Sequence, residues 1–140
     1  MFKITPIQEK SRQKEICDIL GAEFRPDAFG YIMYDIDTEE LMGFSQFEVL
    51  SEGYIYDLLP AKESDDFEAM FILGRQTMNF IDICGAHTCR ASNTAGDARL
   101  LRAIGFKNMG DGLFCDMTGM FDGHCSGHPV DLEKNKLWQE

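Results

Sequence analysis

Acidic and phenolic side chains lie close together in two neighbouring strand-like runs near the middle of the sequence. Glu48 lies in the first run, and Asp57 lies in the second with Tyr54 and Tyr56 beside it. A carboxylate can accept a proton, directly or through a water, and a phenol can donate one. The sequence therefore offers Asp57 and Glu48 as bases and Tyr56 as an acid. The alternative is that the carboxylates are solvated and the tyrosines pack on a half-buried sheet.

A second group of reactive side chains lies near the C-terminus, where His124, Cys125 and His128 follow Cys115. Two histidines and two cysteines can form a tetrahedral zinc site. The Cys-x2–4-Cys pair of a zinc finger is absent from this stretch, and the adjacent His124 and Cys125 point differently unless the backbone bends. Two hypotheses stay open. One is a zinc site made by all four residues, and the other is a Gly-rich loop without a ligand role.

The length and composition indicate one globular domain. The chain has 140 residues, of which 44% are hydrophobic, and only 4 are prolines. A chain of this length buries about two-thirds of the surface that it exposes when unfolded, so it needs neither disulfides nor a metal to fold. We interpret residues 1–129 as one domain and residues 130–140 as a polar C-terminal tail.

The charge and the cysteines restrict the partners and the compartment. Thirteen basic residues against 24 acidic ones leave a net charge of −11, which repels nucleic acid and anionic lipid. We predict no nucleic-acid or membrane partner; the charge reflects either solubility or a preference for cationic amines. Whether the chain forms a homodimer stays open.

The cysteines indicate the compartment. Five cysteines without an apolar signal segment predict reduced thiols and a cytoplasmic location.

These candidate residues must be positioned by a series of predicted strands and helices. A short strand over residues 1–4 is followed by a helix, which Thr5 caps and Pro6 begins. Three strand-like runs over 29–36, 42–50 and 54–59 are joined by short polar turns, a pattern typical of an antiparallel meander.

The second half of the sequence predicts a crossover connection. A long helix from residue 64 to about residue 84, with Ser64 or Asp65 as its cap, is followed by a strand over 86–92. A helix over 95–104 and two further strands complete the order β-α-β-β-β-α-β-α-β-β. Because a strand, a helix and a strand follow one another over 54–92, the strands at 54–59 and 86–92 should be parallel neighbours.

This order resembles the GNAT-type N-acetyltransferases, and one local stretch is similar as well. Asn93 follows a predicted strand and precedes a helix that ends in Gly105-Phe106. The resemblance in element order covers about residues 1–120. It implies a single-domain mixed α/β sheet with the fold of acyl-CoA acyltransferases.

The resemblance also implies a reaction and a site. In this family an amine attacks the thioester of acetyl-CoA, whose pantetheine lies between the splayed fourth and fifth strands. The pantetheine pairs with exposed backbone of the fourth strand, and the pyrophosphate sits on amides at the start of the next helix. The implied roles are Asp57 and Glu48 as bases and Tyr56 as the acid. The implied cofactor contacts are Tyr54, Ile55, Asp57, Leu59 and Asn93.

The sequence departs from the family pattern before its long helix. The Gln/Arg-x-x-Gly-x-Gly/Ala phosphate loop is replaced by a stretch containing Glu63, Asp65, Asp66 and Glu68, which would repel a pyrophosphate. We therefore predict weak binding of acetyl-CoA. Three functions remain open: an acyl-CoA-dependent N-acetyltransferase acting on a small-molecule amine, a GNAT-like binding or regulatory module with a protein partner, and a metal-binding module.

Overall fold

The computed structural model describes residues 1–61 and 66–121. The elements follow the predicted order: β1 (Phe2–Pro6), α1 (Lys10–Leu20), β2 (Phe29–Asp35), β3 (Leu41–Val49), β4 (Gly53–Pro60), α2 (Phe67–Ile83), β5 (Thr88–Ala91), α3 (Ala98–Ile104), β6 (Lys107–Asn108) and β7 (Leu113–Asp116). Every predicted element is therefore present in the part of the chain that is described.

The strands form one mixed sheet in the order β1-β2-β3-β4-β5-β7-β6. Neighbouring strands are antiparallel except β4 and β5, which are parallel. Gly53 pairs with Cys89 and Ile55 with Ala91, and α2 makes the crossover between these two strands. The predicted parallel pairing is confirmed.

β4 parts from β5 and bulges against β3 at the same point. Its pairing with β5 ends at Ile55, whereas its pairing with β3 continues to Pro60. Gln46 pairs with Asp57 and Phe47 pairs with Ile55, so Tyr56 is an extra residue in β4. A bulge increases the local twist of a strand and redirects its side chains. The bulge therefore sets where the sheet splays.

Helices cover both faces of the sheet. α2 and α3 pack on one face over the main core, which includes Phe47, Ile55, Leu58, Leu73 and Ile104. α1 packs on the other face over a smaller cluster that contains Ile16, Cys17, Ile32 and Phe44. Because side chains alternate along a strand, the residues of β3 divide between these faces. Gln46 and Glu48 follow Phe44 onto the α1 face, whereas Ser45 reaches Thr77 of α2.

The predicted start of the first helix is wrong. Thr5 and Pro6 belong to β1, where Pro6 lies opposite Tyr31, and α1 begins only at Lys10. An edge strand tolerates proline because one side of its backbone needs no hydrogen-bond partner. Pairing with β2 therefore outweighs the local helix-start signal.

The other two helices also begin later than the sequence predicts, α2 at Phe67 and α3 at Ala98. Asp66 caps α2 by accepting a hydrogen bond from the Ala69 N–H at 3.0 Å, while Ser64 and Asp65 lie outside the described residues. α3 begins at Ala98 rather than at residue 95, because Asp97 accepts a hydrogen bond from the Leu100 N–H at 3.1 Å. Residues 92–96 form a turn instead, which we call the 92–96 turn.

The predicted domain over 1–129 is described as far as Phe121, and the tail over 130–140 lies outside the described residues. Among the helices in the described parts of the chain, none is long and apolar enough to cross a membrane.

Candidate active site

A buried glutamine organises the α1 face of the sheet. Gln46 is fully buried on β3, and its side-chain oxygen accepts hydrogen bonds from Gln13 Nε2 at 2.9 Å and from the Arg25 backbone N–H at 3.0 Å. Its side-chain nitrogen donates to the Glu23 carbonyl at 3.0 Å and to Asp57 Oδ2 at 2.8 Å. One side chain therefore joins α1, the α1–β2 connection and β4.

The α1–β2 connection, residues 21–28, forms a wall over this face. Gln13 Nε2 lies 3.3 Å from the carbonyl oxygens of both Arg25 and Ala28, and Lys10 Nζ also donates to the Ala28 carbonyl. The Arg25 guanidinium lies 4.0 Å from the centre of the Tyr56 ring, a cation–π distance. These contacts hold the connection above the bulge of β4.

Asp57 is the carboxylate at the bulge. It is half-buried, and this burial raises the pKa of Asp57, although the hydrogen bond from Gln46 and the charge of Arg25 offset part of the effect. A carboxylate with a raised pKa accepts a proton more readily than an exposed one does. Asp57 therefore has the properties of a general base.

Tyr56 and Glu48 form a second pair on the same face. Tyr56 Oη donates to Glu48 Oε1 at 2.6 Å, and this bond, together with burial, raises the pKa of Tyr56 to about 12. The phenol therefore stays protonated at neutral pH. The Tyr54 ring stands beside it, with 4.7 Å between the two ring centres. The three predicted catalytic residues, Asp57, Glu48 and Tyr56, are thus brought to one surface.

The surface carries excess negative charge. Three carboxylates, those of Glu23, Glu48 and Asp57, lie near the guanidinium of Arg25, which pairs with Glu23 at 3.5 Å, and outnumber the two cations of Arg25 and Lys10. An excess of carboxylates in a half-buried site attracts cations. The nearby Cys17 does not add a nucleophile, because burial raises the pKa of its thiol to about 11.

A cavity of about 300 Å³ opens beside Tyr54. The ends of β5 and β7 complete its lining, which includes Arg90, Ser92, Asn93 and Asp111. A larger cavity of about 670 Å³ lies on the α2 face, but none of its described lining residues is a carboxylate. Since removing a proton from an ammonium group requires a base that is ionised near neutral pH, such as a carboxylate, we place the candidate site on the α1 face.

The predicted cofactor contacts do not all reach this surface. Tyr54 lines the smaller cavity and Asn93 is exposed there. The Ile55 side chain is buried in the main core, and Leu59 is half-buried opposite Phe44. These contacts therefore stay predictions.

Cys115 is the one predicted zinc ligand within the described residues. It is buried on β7 opposite Cys89, and burial raises the pKa of its thiol. His124, Cys125 and His128 lie outside the described residues, and residues 1–61 and 66–121 contain no cluster of three potential metal ligands. The zinc hypothesis stays a prediction, which elemental analysis of protein purified without chelator checks.

The architecture is shared with solved acetyltransferase structures, although the sequence matches no protein-family model and no curated protein. Ribosomal-protein-S18-alanine N-acetyltransferase from Escherichia coli aligns with a TM-score of 0.61 at 14% identity, over 94% of this chain and 100% of that chain. The IAA acetyltransferase from Bacillus cereus ATCC 14579 aligns with a TM-score of 0.57 at 13% identity, over 78% and 79%. The chain has the GNAT fold.

A third GNAT-fold structure contains acetyl coenzyme A. This Bacillus anthracis str. Ames protein, assigned as a streptothricin acetyltransferase, aligns with a TM-score of 0.50 at 17% identity, over 59% of this chain and 50% of that chain. The chain therefore spans about half the length of that protein. Identities this low establish the fold, and function must be argued from the chain's own residues.

The acyl-CoA position implied by the GNAT fold is the edge of β4 beyond the splay. In this chain that edge is hydrogen-bonded internally, because the Leu58 N–H donates to the Ala95 carbonyl at 2.7 Å. A Cβ on Gly96 would lie only 2.4 Å from the Leu58 carbonyl oxygen. The 92–96 turn thus packs against β4 where the pantetheine would pair.

The implied phosphate position, at the start of α2, is also engaged by the chain itself. The Asp66 carboxylate accepts the Ala69 N–H, and Glu68 adds a second carboxylate in the first turn. A helix start favours anions, but Asp66 already occupies the Ala69 amide, and both carboxylates repel a phosphate. Among residues 1–61 and 66–121, the groups at these two positions do not fit acyl-CoA in this arrangement, so we assign no chemical step to the cofactor.

The sequence analysis missed three residues that build the site, namely Gln13, Arg25 and Gln46. A signal exists for the two glutamines, since Gln46 shares a strand face with Phe44 and Gln13 lies on the buried side of α1 with Ile16. A polar residue at a core position indicates a hydrogen-bonded network. Gln13 and Gln46 lie 33 residues apart along the chain, so the local pattern does not indicate that they are hydrogen-bond partners.

Proposed function

We propose that this chain is an N-acetyltransferase whose acceptor amine binds on the α1 face. The observation that carries the proposal is the half-buried Asp57 carboxylate at the β4 bulge, with its raised pKa and its place among an excess of carboxylates. A cationic ammonium complements that charge. The cavity beside Tyr54 adjoins this surface through the contact between the Tyr54 and Tyr56 rings.

Asp57 has a defined task in this proposal. An ammonium group has no free electron pair, so one proton must leave its nitrogen before that nitrogen can attack an acyl carbon. Asp57 accepts this proton and becomes a neutral carboxylic acid, a form that its surroundings favour because burial raises its pKa. The proton then passes from Asp57 to solvent.

Glu48 and Tyr56 are proposed to orient the amine. The Tyr56 proton is already donated to Glu48, so protonating a leaving group would require that bond to break first. Glu48 keeps a second carboxylate oxygen, which can accept a hydrogen bond from the ammonium. Acetyl-CoA is the proposed acyl donor; its support is the shared fold and the acetyl coenzyme A in the Bacillus anthracis structure.

Removing the charge of Glu48 tests the amine site. We expect Glu48→Gln to weaken the binding of a small primary amine about three- to tenfold, the effect of one charge contact worth about 1 kcal/mol. Calorimetric titration with a series of primary amines measures the change. Asp37→Asn removes the same charge from the exposed β2–β3 turn and should leave the affinity unchanged. Equal affinities for all three proteins would reject the site.

A second candidate function is an amine-binding module that does not use acyl-CoA. The bond between Leu58 and Ala95 and the carboxylates at the start of α2 favour it. Mass spectrometry of amines incubated with acetyl-CoA separates the two candidates. Acetylated product supports the transferase, whereas amine binding without product supports the module.

The charge at the start of α2 provides a further prediction. Asp66→Asn keeps an oxygen that can cap the Ala69 N–H but removes the negative charge. We expect acetyl-CoA to bind several-fold more tightly to this variant, because its phosphates meet less repulsion. Asp82→Asn removes a carboxylate near the opposite end of α2 and is the matched control. Calorimetry that finds the same affinity in both variants would contradict a role for Asp66.

A further inference from the structure

We infer that the 92–96 turn competes with acyl-CoA for the edge of β4, so that the donor binds only after this turn has left Leu58. The inference rests on the proposed function, because it concerns how the donor reaches the same site. It adds an autoinhibitory contact formed by the chain's own backbone.

A hydrogen bond on β4 supports the competition. Beyond the last rung of the β4–β5 pairing, in which the Ile55 carbonyl accepts from the Ser92 N–H, the Leu58 N–H donates to the Ala95 carbonyl of the turn at 2.7 Å. An incoming amide-containing chain such as pantetheine would have to replace the bond at Leu58 with its own. Two chains cannot use the same backbone donor with good geometry, so binding of one excludes the other.

Close packing makes the exclusion steric as well. Gly96 lies so near to the Leu58 carbonyl oxygen that even a methyl group would approach it to 2.4 Å. Ala95 is fully buried. No room for a pantetheine chain remains between the turn and β4 in this arrangement.

The turn is also held by bonds of its own. The Ala95 N–H donates to the Ser92 carbonyl at 3.0 Å, and the Thr94 N–H donates to Ser92 Oγ at 3.2 Å. Directly after the turn, Asp97 caps α3, which begins at Ala98. The closed arrangement is therefore built into the connection between β5 and α3.

The consequence for binding follows from the population of the open form. When only a fraction of the molecules is open, the apparent dissociation constant equals the intrinsic constant divided by that fraction. If about 1% of molecules are open, the apparent affinity falls about 100-fold. The native chain should therefore bind acetyl-CoA weakly, and a variant with a larger open fraction should bind it more tightly.

Gly96→Ala tests the competition because the added methyl group forces the turn away from β4. We expect this variant to bind acetyl-CoA at least about tenfold more tightly than the native chain, although it is less stable. Gly43→Ala is the matched control: its Cβ would crowd the Met70 sulfur at 2.8 Å within the main core. Calorimetric titration of all three proteins with acetyl-CoA gives the affinities. A Gly96→Ala affinity no greater than that of Gly43→Ala would overturn the inference.

The native chain provides a second test that needs no variant. The hydrogen bond between Leu58 and Ala95 transmits a measurable NMR coupling from the Leu58 nitrogen to the Ala95 carbonyl carbon. We expect this coupling to disappear as acetyl-CoA is added at millimolar concentration. Binding that leaves the coupling intact would show that the donor does not use this edge, and the inference would fail.

Titrating the same samples with a primary amine tests binding on the α1 face separately, through the chemical shifts of residues around Asp57. If the amine causes no shifts around Asp57 while acetyl-CoA still abolishes the coupling, the proposed amine site fails and the competition stands. If the amine binds and acetyl-CoA leaves the coupling intact at saturation, the competition fails and the amine site stands.

Discussion

Replacing Gln46 with alanine is expected to lower the free energy of unfolding by about 3–5 kcal/mol, since each buried polar group left without a partner costs about 1–3 kcal/mol. The substitution removes the acceptor for Gln13 Nε2 and for the Arg25 N–H, and the donor to Asp57. These groups lie between α1, the α1–β2 connection and the sheet, where water cannot replace a fully buried side chain. The substitution should therefore remove the hydrogen bonds through which Gln46 joins α1, the α1–β2 connection and β4.

Denaturant unfolding of three proteins measures this effect. Gln76→Ala is the matched control, because Gln76 is exposed on α2, and it should change the stability by less than about 0.5 kcal/mol. Gln46→Glu keeps an acceptor for Gln13 but loses the donors and places a second carboxylate beside Asp57. We expect it to be destabilised too, and increasingly so as the pH rises. A Gln46→Ala protein as stable as the control would contradict the role of the network.

Replacing Asp57 with asparagine is expected to lower kcat/KM for amine acetylation about 10²- to 10⁴-fold, the usual contribution of a positioned base. Asparagine has nearly the same shape and can still accept the hydrogen bond from Gln46 Nε2, so the site should keep its structure. The loss therefore reports proton transfer rather than unfolding. Asp37→Asn, in the exposed β2–β3 turn, is the matched control and should retain full activity.

The same variant should be more stable than the native chain at neutral pH. Burial raises the pKa of Asp57 in the folded state, so folding disfavours its ionised form. The stabilising effect of its proton is fully present below the unfolded pKa and is lost as the pH rises through the folded pKa. Asparagine avoids this loss, and its advantage should vanish in acid. Measuring the free energy of unfolding of both proteins from acid to neutral pH tests whether the asparagine variant is the more stable one at neutral pH. An asparagine variant that is less stable at neutral pH would contradict the assignment.

Much of the architecture is determined by local sequence. Short polar turns predicted the meander of β2, β3 and β4, and the strand–helix–strand order predicted the parallel pairing of β4 with β5. These features depend on residues near one another in the chain and on the handedness of crossovers, which holds for nearly all proteins. The residue types of Glu48, Tyr56 and Asp57 were sufficient to identify them as candidate acids and bases.

Tertiary contacts decided the features on which the site depends. Pairing with β2 drew Pro6 into β1, and contact with β4 kept residues 92–96 out of α3. The bulge at Tyr56 arises from the register between two strands, so no single strand contains its signal. The raised pKa of Asp57 depends on burial and on Gln46 and Arg25, which lie 11 residues or more away along the chain. Local patterns specify which elements form, whereas hydrogen bonds and burial between distant segments specify the environment of each functional group.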